Sequence, residues 1–382
     1  MRLPAPSPEA LALSAVLKRK IESVILQNDG WISFACYMEM ALYEPGLGYY
    51  SQGQAVLGRE GDFVTAPEIS ALFGQTIARS LVPFLKQSAS HILEIGAGSG
   101  RLACDILSDL GRMDSVPDHY DILDLSGSLK QRQQEMLAAF PQVRWIDRLP
   151  ETFTGVILGN EVLDAMPVQR VIKTNGKWHE LGVRVSNGQF VFEQRPADAS
   201  LLAQIARQIP DERQLQDGYV TEVHAHACAF VRTLVDMQKG GEGSVALFID
   251  YGYPAREYYL PERSKGTLLS YYRHYLHADP FLHVGLQDIT AHVDFSAIAA
   301  TATESGTDLL CYANQSAFLL ASGITERLLR ISPEVATHYL PEAKKVQMLL
   351  SPTEMGELFK VMIFGDLDLP LHLASIDRSE RL

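Results

Sequence analysis

Three polar residues stand just after an apolar run in the middle of the chain. The run TFTGVIL (152–158) has the composition of a buried strand, and Asn160, Glu161 and Asp164 follow it in GNEVLDAMPVQR. One interpretation is a polar strand end that meets solvent and caps a helix. The other is a site that binds a polar group, because an amide and two carboxylates offer several hydrogen-bond acceptors close together.

A glycine-rich stretch, HILEIGAGSGRLACDIL (91–107), joins a predicted strand to a predicted helix. Gly96, Gly98 and Gly100 allow positive φ angles and a close approach of the backbone to a ligand. The loop leads into a helix N-terminus with unpaired N–H groups. Its spacing differs from the G-x-G-x-x-G fingerprint of dinucleotide-binding proteins, whose third glycine comes one position later. Glu94 ends the predicted strand, where its carboxylate would repel a pyrophosphate but could pair with an ammonium group, directly or through water.

Two further acids follow the next predicted strands. Asp124, in YDILDLS, lies 24 residues after Gly100, where its carboxylate can accept hydrogen bonds from two ribose hydroxyls, and Leu125 beside it is predicted to contact the same ligand. Asp147, in VRWIDRLPE, could accept a hydrogen bond from an adenine amino group. A nucleoside that carries an amino acid meets these demands together, so the predicted ligand is S-adenosylmethionine (SAM), with S-adenosylhomocysteine as product. The alternative is a glycine turn in an α/β fold that binds nothing.

Alternating strand and helix patterns surround these residues. From His91 to Asn160, short apolar strands alternate with helices, which indicates a parallel, doubly wound sheet. GSVALFIDYGY and LFKVMIF add later strands to the same core. Two Asn-Gly pairs between β-rich runs predict hairpins over 168–198. The segment 253–293 has weak periodicity, which is typical of a functional or mobile loop.

The remaining predicted elements are mostly helical. Helices are predicted over most of 9–45 and over 199–208 and 221–238. Thr65 and Glu68 match a capping box ahead of a further amphipathic helix.

The composition indicates a folded chain with a substantial core. Hydrophobic residues make up 47% of the 382 residues, and no run approaches the ~20 consecutive apolar residues of a membrane span. The net charge of −13, from 33 basic and 46 acidic residues, disfavours nucleic-acid binding and would attract a cationic partner such as an arginine-bearing protein. Four scattered cysteines without a CxxC pattern fit a reducing compartment and provide neither a disulfide framework nor a zinc site.

The glycine loop and the acid after the second strand, Glu94–Gly100 with Asp124, resemble the class I SAM-dependent methyltransferases. The wider sequence is similar to one branch, the MidA family, over about residues 36–364. The family often has Glu followed by Ser-Pro after the second strand, whereas Asp124–Gly127 here reads DLSG. Aspartate in place of glutamate shortens the reach of the side chain to the ribose but keeps the carboxylate. The segments that carry the resemblance, in family order, are ALYEPGLGYY, GDFVTAPEISALFGQ, LEIGAGSGRL, GNEVLDAMPVQR, FIDYGY, GTLLSYYRH, DITAHVDFSAI, QSAFLLASGI and MGELFKVM.

The resemblance implies a reaction and a set of site residues. In class I methyltransferases the fourth strand ends next to the transferable methyl group, which places Asn160, Glu161 and Asp164 on the substrate side. Mitochondrial members of the MidA family are complex I assembly factors that symmetrically dimethylate an arginine of a respiratory-chain subunit. Glu161 and Asp164 are then predicted to accept the N–H donors of a guanidinium, with Asn160 contacting the cofactor or the backbone. The alternative is that Asp164 caps a short helix and Glu161 pairs with an arginine such as Arg170.

Other polar residues admit two interpretations. Tyr251, at the end of the predicted fifth strand, is predicted to face the substrate, although a simple strand-end role is equally open. His292 is predicted to line the substrate channel or act as a base, against a purely structural role. Asp294 is expected to be the N-cap of the following helix. His224 and Cys228 share a helix face without further ligands, so no metal site is predicted.

The predicted fold is α/β: a class I, Rossmann-like methyltransferase core with a doubly wound, mainly parallel sheet. Residues 1–90 are predicted to form an N-terminal helical cover, and 91–167 with 241–382 to form the core. Residues 168–240 are predicted to form an inserted α+β subdomain of hairpins and helices, a lid on the substrate side.

The predicted function is SAM-dependent methylation of a protein side chain, an arginine guanidinium by resemblance. A small-molecule methyltransferase and a SAM-binding assembly factor without turnover remain alternatives, while the glycine spacing and Glu94 argue against a dinucleotide oxidoreductase. The expected partner is a protein substrate such as a respiratory-chain subunit, with no nucleic acid and no membrane span, and the oligomeric state stays open. The N-terminal stretch resembles neither a secretory signal nor a transit peptide, so a bacterial cytoplasmic location is expected rather than the mitochondrial matrix.

Overall fold

The computed structural model describes residues 3–52 and 65–382, so the first residues of the family segment GDFVTAPEISALFGQ lie outside the described residues. Within the described ranges the chain divides into two compact units. The parallel-sheet unit comprises residues 65–162, Val231–Gly252 and Ala299–Leu382. The hairpin unit comprises residues 3–52, Leu163–Phe230 and Tyr253–Ile298.

Helices and strands alternate along much of the described chain. The α-helices are α1 (Pro8–Gln27), α2 (Phe34–Tyr43), α3 (Ala66–Ile69), α4 (Ala71–Gln87), α5 (Arg101–Arg112), α6 (Gly127–Met136), α7 (Ala199–Gln208), α8 (Ala225–Lys239), α9 (Ala255–Tyr258), α10 (Phe295–Glu304), α11 (Gln315–Ala321), α12 (Ile324–Leu328), α13 (Ala336–Leu350) and α14 (Leu371–Ala374). Among the described helices, none combines the length and the apolar character that crossing a lipid bilayer requires. The β-strands are β1 (Ile32–Ser33), β2 (His91–Ile95), β3 (His119–Leu123), β4 (Val143–Ile146), β5 (Gly155–Asn160), β6 (Gln169–Thr174), β7 (Lys177–Ser186), β8 (Gln189–Pro196), β9 (Val220–Val223), β10 (Ser244–Tyr253), β11 (Leu269–Tyr272), β12 (Tyr275–His277), β13 (Asp288–Thr290), β14 (Val293–Asp294), β15 (Asp308–Asn314) and β16 (Phe359–Gly365).

The parallel-sheet unit is built on one sheet with the strand order β15-β16-β10-β5-β2-β3-β4. The strands from β10 to β4 pair in parallel, whereas β16 runs antiparallel to both β10 and β15. The strand order reverses at β2, which has β3 on one side and β5 on the other. The predicted α/β fold with a doubly wound, mainly parallel sheet is therefore confirmed. Ligands of such sheets bind outside the carboxyl ends of the strands, at the point where the order reverses.

Apolar strands explain why this sheet lies at the centre of its unit. Strands β5 and β10 read as nearly continuous apolar runs, which is typical of parallel strands covered on both faces, and the side chains of Val156–Leu158 and Val245–Ile249 are buried. Helices α4 and α5 pack together closely at Gly74, where a Cβ atom would lie 2.7 Å from the Cβ atom of Asp105. This packing fixes α5, which begins directly after the glycine loop.

The hairpin unit contains two antiparallel sheets. In the larger sheet β7 pairs with β1, β6 and β8, and β6 also pairs with β9. In the smaller sheet β11 lies between β12 and β13. The Asn-Gly turns have φ angles of 51° at both Asn175 and Asn187, as two-residue hairpin turns require. The hairpins predicted over 168–198 are therefore confirmed.

Three local predictions differ from the structure. Residues 221–238 do not form one helix, because β9 pairs with β6 before α8 begins. The segment 253–293 is not an open loop, since it contains α9 and the small antiparallel sheet, whose pairing is invisible to sequence periodicity. The capping box is wrong as well: Thr65 makes no side-chain cap, Ser70 caps α4 instead, and the Glu68 side chain bonds elsewhere.

The unit boundaries also differ from the predicted division. Helix α4 lies in the parallel-sheet unit, where it packs on α5, although the sequence places it in the cover at 1–90. Tyr253–Ile298 lies in the hairpin unit, although the sequence places it in the core at 241–382. The roles of cover and lid stay predictions.

Candidate active site

The glycine loop after β2 has a backbone that glycine adopts with little strain. The φ angle is 67° at Gly96, 56° at Gly98 and 83° at Gly100. The N–H of Gly100, the N-cap of α5, donates to the carbonyl oxygen of Ala97 at 2.8 Å. The N–H of Gly96 donates to the carbonyl oxygen of Leu123 at the end of β3, at 2.9 Å. The loop is thus a tight turn, hydrogen-bonded to the end of β3, at the point where the strand order of the sheet reverses.

Glu94 lies one residue before the end of β2 and is buried, with 1% of its surface exposed. Its carboxylate accepts a hydrogen bond from the Tyr120 hydroxyl at 2.9 Å. Burial raises the pKa of Glu94 to about 8, a rise that the Tyr120 hydrogen bond opposes and the nearby Asp124 carboxylate increases. Such a buried carboxyl group beside a glycine loop would be stabilised in its charged form by a cationic ligand.

Asp124 follows β3 and is held by hydrogen bonds on both carboxylate oxygens. The N–H of Ser126 donates to Oδ1 at 2.9 Å, and Nε2 of Gln133 donates to Oδ2 at 2.8 Å. Burial raises the pKa of Asp124, while these hydrogen bonds and one from the Gly98 backbone oppose the rise. The adjacent Leu125 side chain is 76% exposed, so its apolar surface is accessible to a ligand. The ribose and cofactor contacts of Asp124 and Leu125 stay predictions.

Asp147 directly follows β4 and lies at the surface. Its side chain is 91% exposed, and Oδ1 lies 3.1 Å from Nζ of Lys130 on α6. An exposed ion pair of this kind contributes little to stability. The predicted contact between Asp147 and an adenine amino group stays a prediction.

Asn160 ends β5, and Glu161 follows with a φ angle of 53°. This left-handed conformation is strained for a residue with a side chain, and such residues concentrate at functional sites. The N–H of Glu161 donates to the carbonyl oxygen of Ile249 on β10 at 2.8 Å, and its Oε1 accepts from Nδ2 of Asn160 at 3.2 Å. Oδ1 of Asn160 is buried and has no hydrogen-bond partner among the described residues. An unsatisfied buried oxygen at the carboxyl end of a central strand points to a ligand.

Asp250 anchors the chain that follows Glu161. It is 1% exposed, its Oδ2 accepts from the N–H of Val162 at 3.1 Å, and its Oδ1 accepts from the N–H of Tyr251 at 2.9 Å. The half-buried Tyr251 ring packs on Phe359 with 5.4 Å between ring centroids. These contacts support the ends of β5 and β10, and the substrate contact of Tyr251 stays a prediction.

Asp164 and His292 belong to the hairpin unit. Asp164 is buried, and its Oδ2 accepts from the Thr290 hydroxyl at 3.1 Å. The N–H of His292 donates to the Thr267 hydroxyl at 3.1 Å. Burial, aided by the positive charge of Arg263, lowers the pKa of His292 to about 4, so its imidazole is neutral near pH 7. Their predicted substrate roles stay predictions.

Two other expectations concern the hairpin unit. Arg170, the arginine that the alternative interpretation pairs with Glu161, lies with Nε 3.5 Å from Oε1 of the buried Glu222. Asp294 caps α10 as expected, since its Oδ1 accepts from the N–H of Ala297 at 3.1 Å. Among the described residues, no three His, Cys, Asp or Glu side chains are grouped as a metal site.

Two residues beside the glycine loop are not among the site residues predicted from the sequence. Gln133 of α6 is fully buried and donates to both the Gly98 carbonyl and Asp124. Glu68 of α3 accepts a hydrogen bond from the hydroxyl of Ser99 within the loop. The Glu68 position is visible in the sequence only as a false capping box. Nothing in the polar sequence of α6 distinguishes Gln133 from its neighbours.

Together, these residues of the parallel-sheet unit fit a nucleoside that carries an ammonium group. Positive φ angles at Gly96, Gly98 and Gly100 leave the loop backbone open to close approach. The buried Glu94 carboxyl offers a partner for a cation, and the Asp124 carboxylate, joined to the loop through Gln133, offers hydrogen-bond acceptors.

Comparison with known proteins defines the class. Residues 76–313, more than half of the chain, match the family described as "Putative S-adenosyl-L-methionine-dependent methyltransferase". The chain belongs to this family, and it is an enzyme that uses SAM as its cofactor. The resemblance, the class of enzyme and the cofactor predicted from the sequence are confirmed.

Solved structures and curated relatives agree with this assignment. The chain is similar to a "likely methyl transferase" from Burkholderia thailandensis bound to S-adenosyl-homocysteine, with 47% identity, a TM-score of 0.93 and 100% of both chains covered. It is also similar to "Protein arginine methyltransferase NDUFAF7 homolog, mitochondrial" of Drosophila melanogaster, with 27% identity over 98% of this chain and 91% of that protein. The Homo sapiens relative, "Protein arginine methyltransferase NDUFAF7, mitochondrial", is 27% identical over 87% of this chain and 80% of that protein.

Proposed function

We propose that this enzyme transfers methyl groups to the guanidinium of an arginine side chain in a protein substrate. The observation that carries the proposal is the Glu161 carboxylate, which follows the central strand β5 in a left-handed conformation with φ of 53°. A carboxylate at this edge of the sheet can accept the paired N–H donors of a planar guanidinium. The names of the curated relatives support the same class of substrate.

In this proposal the cofactor is held by the residues around β2, β3 and β4. The loop Gly96–Gly100 and the N-terminus of α5 surround the methionine part. Glu94 pairs with the ammonium group, and Asp124 accepts hydrogen bonds from the ribose hydroxyls. Leu125 and Asp147 contact the adenine.

The bound cofactor would supply a methyl group on a positively charged sulfur. In the in-line displacement the N–C bond forms as the C–S bond breaks, S-adenosylhomocysteine leaves, and the methylated nitrogen loses one proton, which ends in bulk solvent. The task of the chain is to align the guanidinium nitrogen, keep its lone pair available and exclude water. Glu161 accepts N–H donors from the guanidinium and localises its positive charge away from the attacking nitrogen. Asn160 orients the Glu161 carboxylate through the 3.2 Å hydrogen bond from its Nδ2.

A cationic protein segment is the partner that the charge of the chain favours. The net charge of −13 attracts positively charged partners over long range. A respiratory-chain subunit is the proposed target, in line with the family resemblance. Asp164, Tyr251 and His292 remain predicted substrate residues.

SAM binding is expected to release about one proton near pH 7, because free Glu94, with a pKa of about 8, is mostly protonated there and an ammonium partner lowers that pKa. Affinity should therefore rise with pH between about 6 and 7.5, by at most about tenfold per pH unit. Calorimetric titrations in buffers of different ionisation enthalpy measure the proton count. Asp124 and Tyr120 are the other titratable groups that act on Glu94. Glu94→Gln is therefore the control that isolates the Glu94 proton, and this variant should bind SAM weakly and release no proton. Proton uptake when the wild type binds SAM would contradict the proposed pairing of Glu94 with the ammonium group.

The substrate is tested with SAM carrying a labelled methyl group and a lysate of source cells that lack the gene. Labelled protein is hydrolysed, and its amino acids are separated. We expect label in methylated arginine with the wild type and none with Glu161→Gln. Label in methylated lysine or in small molecules would overturn the arginine proposal, the latter in favour of a metabolite methyltransferase. SAM binding without any transfer would favour an assembly factor.

A further inference from the structure

Gln133 is an unusual residue of helix α6. The helix is polar, with the sequence GSLKQRQQEM, and Gln131, Arg132, Gln134 and Glu135 are all exposed. Gln133 alone among these five is completely buried. A buried amide requires hydrogen-bond partners for both its oxygen and its nitrogen, so its contacts indicate what it does.

The Gln133 side chain joins three separate segments of the parallel-sheet unit. Its Nε2 donates to the carbonyl oxygen of Gly98 at 2.9 Å and to Oδ2 of Asp124 at 2.8 Å. Its Oε1 accepts from the indole N–H of Trp145 on β4 at 2.9 Å. Because an indole N–H can only donate, Trp145 fixes which end of the amide faces the loop and Asp124.

The packing of the helix adds a second constraint on the same loop. A Cβ atom at Gly100 would lie 3.3 Å from both Cα and Cγ of Gln133. The α6 backbone therefore lies directly against the last glycine of the loop, whose φ angle is 83°. Gln133 contacts the loop at two places, through hydrogen bonding at Gly98 and through packing at Gly100.

We infer that Gln133 is a positioning residue that sets the separation between the glycine loop and the Asp124 carboxylate. A neutral amide suits this role because its N–H₂ group can donate one hydrogen bond to the loop carbonyl and another to the carboxylate. A glutamate in its place would bring a negative charge against Asp124. The inference rests on the proposed assignment of Asp124 to the cofactor ribose. Gln133 itself touches Asp124 and the loop, and it acts on the cofactor through them.

The first test compares Gln133→Ala and Gln133→Met with Gln134→Ala, a matched control for an exposed glutamine on the same helix. Each variant is titrated with SAM and S-adenosylhomocysteine by calorimetry. We expect the Gln133 variants to bind both ligands roughly 10- to 100-fold more weakly, since the hydrogen bond to Asp124 involves a charged group. The control variant, Gln134→Ala, should bind both ligands with the affinity of the wild type. Methionine is similar in length to glutamine, so equal weakening in Gln133→Met would assign the loss to hydrogen bonding rather than to packing.

A second readout separates positioning from general loss of structure. Gln133→Glu is titrated with SAM from pH 5.5 to 8 beside the wild type. The introduced carboxyl group can donate to Asp124 only while it is protonated, so the ratio of variant to wild-type Kd should grow as the pH rises. A ratio that is constant over this range would overturn the inference. In steady-state assays with varied SAM, Gln133→Ala should show a raised KM for SAM and a nearly unchanged kcat.

The double variant Asp124→Ala with Gln133→Ala distinguishes the inference from the assignment on which it rests. If Gln133 acts through Asp124, its effect on the SAM Kd should shrink when Asp124 is already absent. Full additivity would overturn the positioning role. Should Asp124→Ala alone bind SAM as the wild type does, the ribose assignment itself fails. Should Asp124→Ala lose binding while Gln133→Ala keeps it, only the inference about Gln133 fails.

Discussion

Replacing Glu161 with glutamine is expected to slow methyl transfer by roughly 10²- to 10³-fold, the usual effect of removing one preorganised group that stabilises charge in the transition state. SAM affinity should change little, because Glu161 follows β5 and the proposed cofactor residues follow β2, β3 and β4. The amide keeps the size of the side chain but cannot balance the positive charge of a guanidinium. The measurement is the rate of labelled methyl incorporation into protein, together with the calorimetric Kd for SAM.

Glu161→Gly provides a sharper version of this test. With a φ angle of 53°, this position suits glycine, which adopts left-handed conformations at little cost. The variant should therefore fold at least as stably in thermal unfolding and still lose methyl transfer. Glu151→Gln is the matched control, since Glu151 is exposed and precedes the amino end of the same strand. If Glu161→Gly and Glu161→Gln retain turnover, the proposed role of this carboxylate is wrong.

Removing the Asp124 carboxylate is expected to weaken SAM binding by roughly 100-fold or more, because hydrogen bonds to charged groups contribute about 1.5–3 kcal/mol each. Asp124→Asn should also bind SAM weakly. Both oxygens of Asp124 accept hydrogen bonds, so in either orientation an amide N–H₂ would face a donor, the N–H of Ser126 or Nε2 of Gln133. Asp124→Glu, the residue that the family often has here, should restore much of the affinity. The readouts are the KM for SAM and the Kd for S-adenosylhomocysteine.

Asp118→Ala is the control for these variants, because Asp118 is exposed and precedes the strand that Asp124 follows. It should bind SAM as the wild type does. Thermal unfolding of each variant without ligand checks that the fold is intact. Wild-type affinity in Asp124→Ala would show that the ribose is held by other groups.

Local patterns in the sequence are sufficient to predict the centre of the parallel-sheet unit. Strand β2, the glycine loop and α5 are contiguous, so apolar periodicity and three glycines identify them together. The polar end of β5 can also be predicted, because its polar residues directly follow the apolar run of the strand. The left-handed conformation of Glu161 cannot be predicted in this way, because it depends on how the chain leaves β5 beside β10.

Features that depend on distant pairing are missed or misassigned. β9 reads as the start of a helix because its strand character comes from pairing with β6, about 50 residues earlier in the chain. The small sheet of β11, β12 and β13 shows the same limit. Gln133 has no local signal at all, since its three partners come from the glycine loop, the end of β3 and β4.

The proposed division of labour is tested most directly by one calorimetric series: S-adenosylhomocysteine titrated into the wild type, Asp124→Ala and Glu161→Gln. We predict tight binding to the wild type, a large loss in Asp124→Ala and near wild-type affinity in Glu161→Gln, since cofactor binding and substrate alignment are assigned to different strands. Equal loss of affinity in both variants would contradict that assignment.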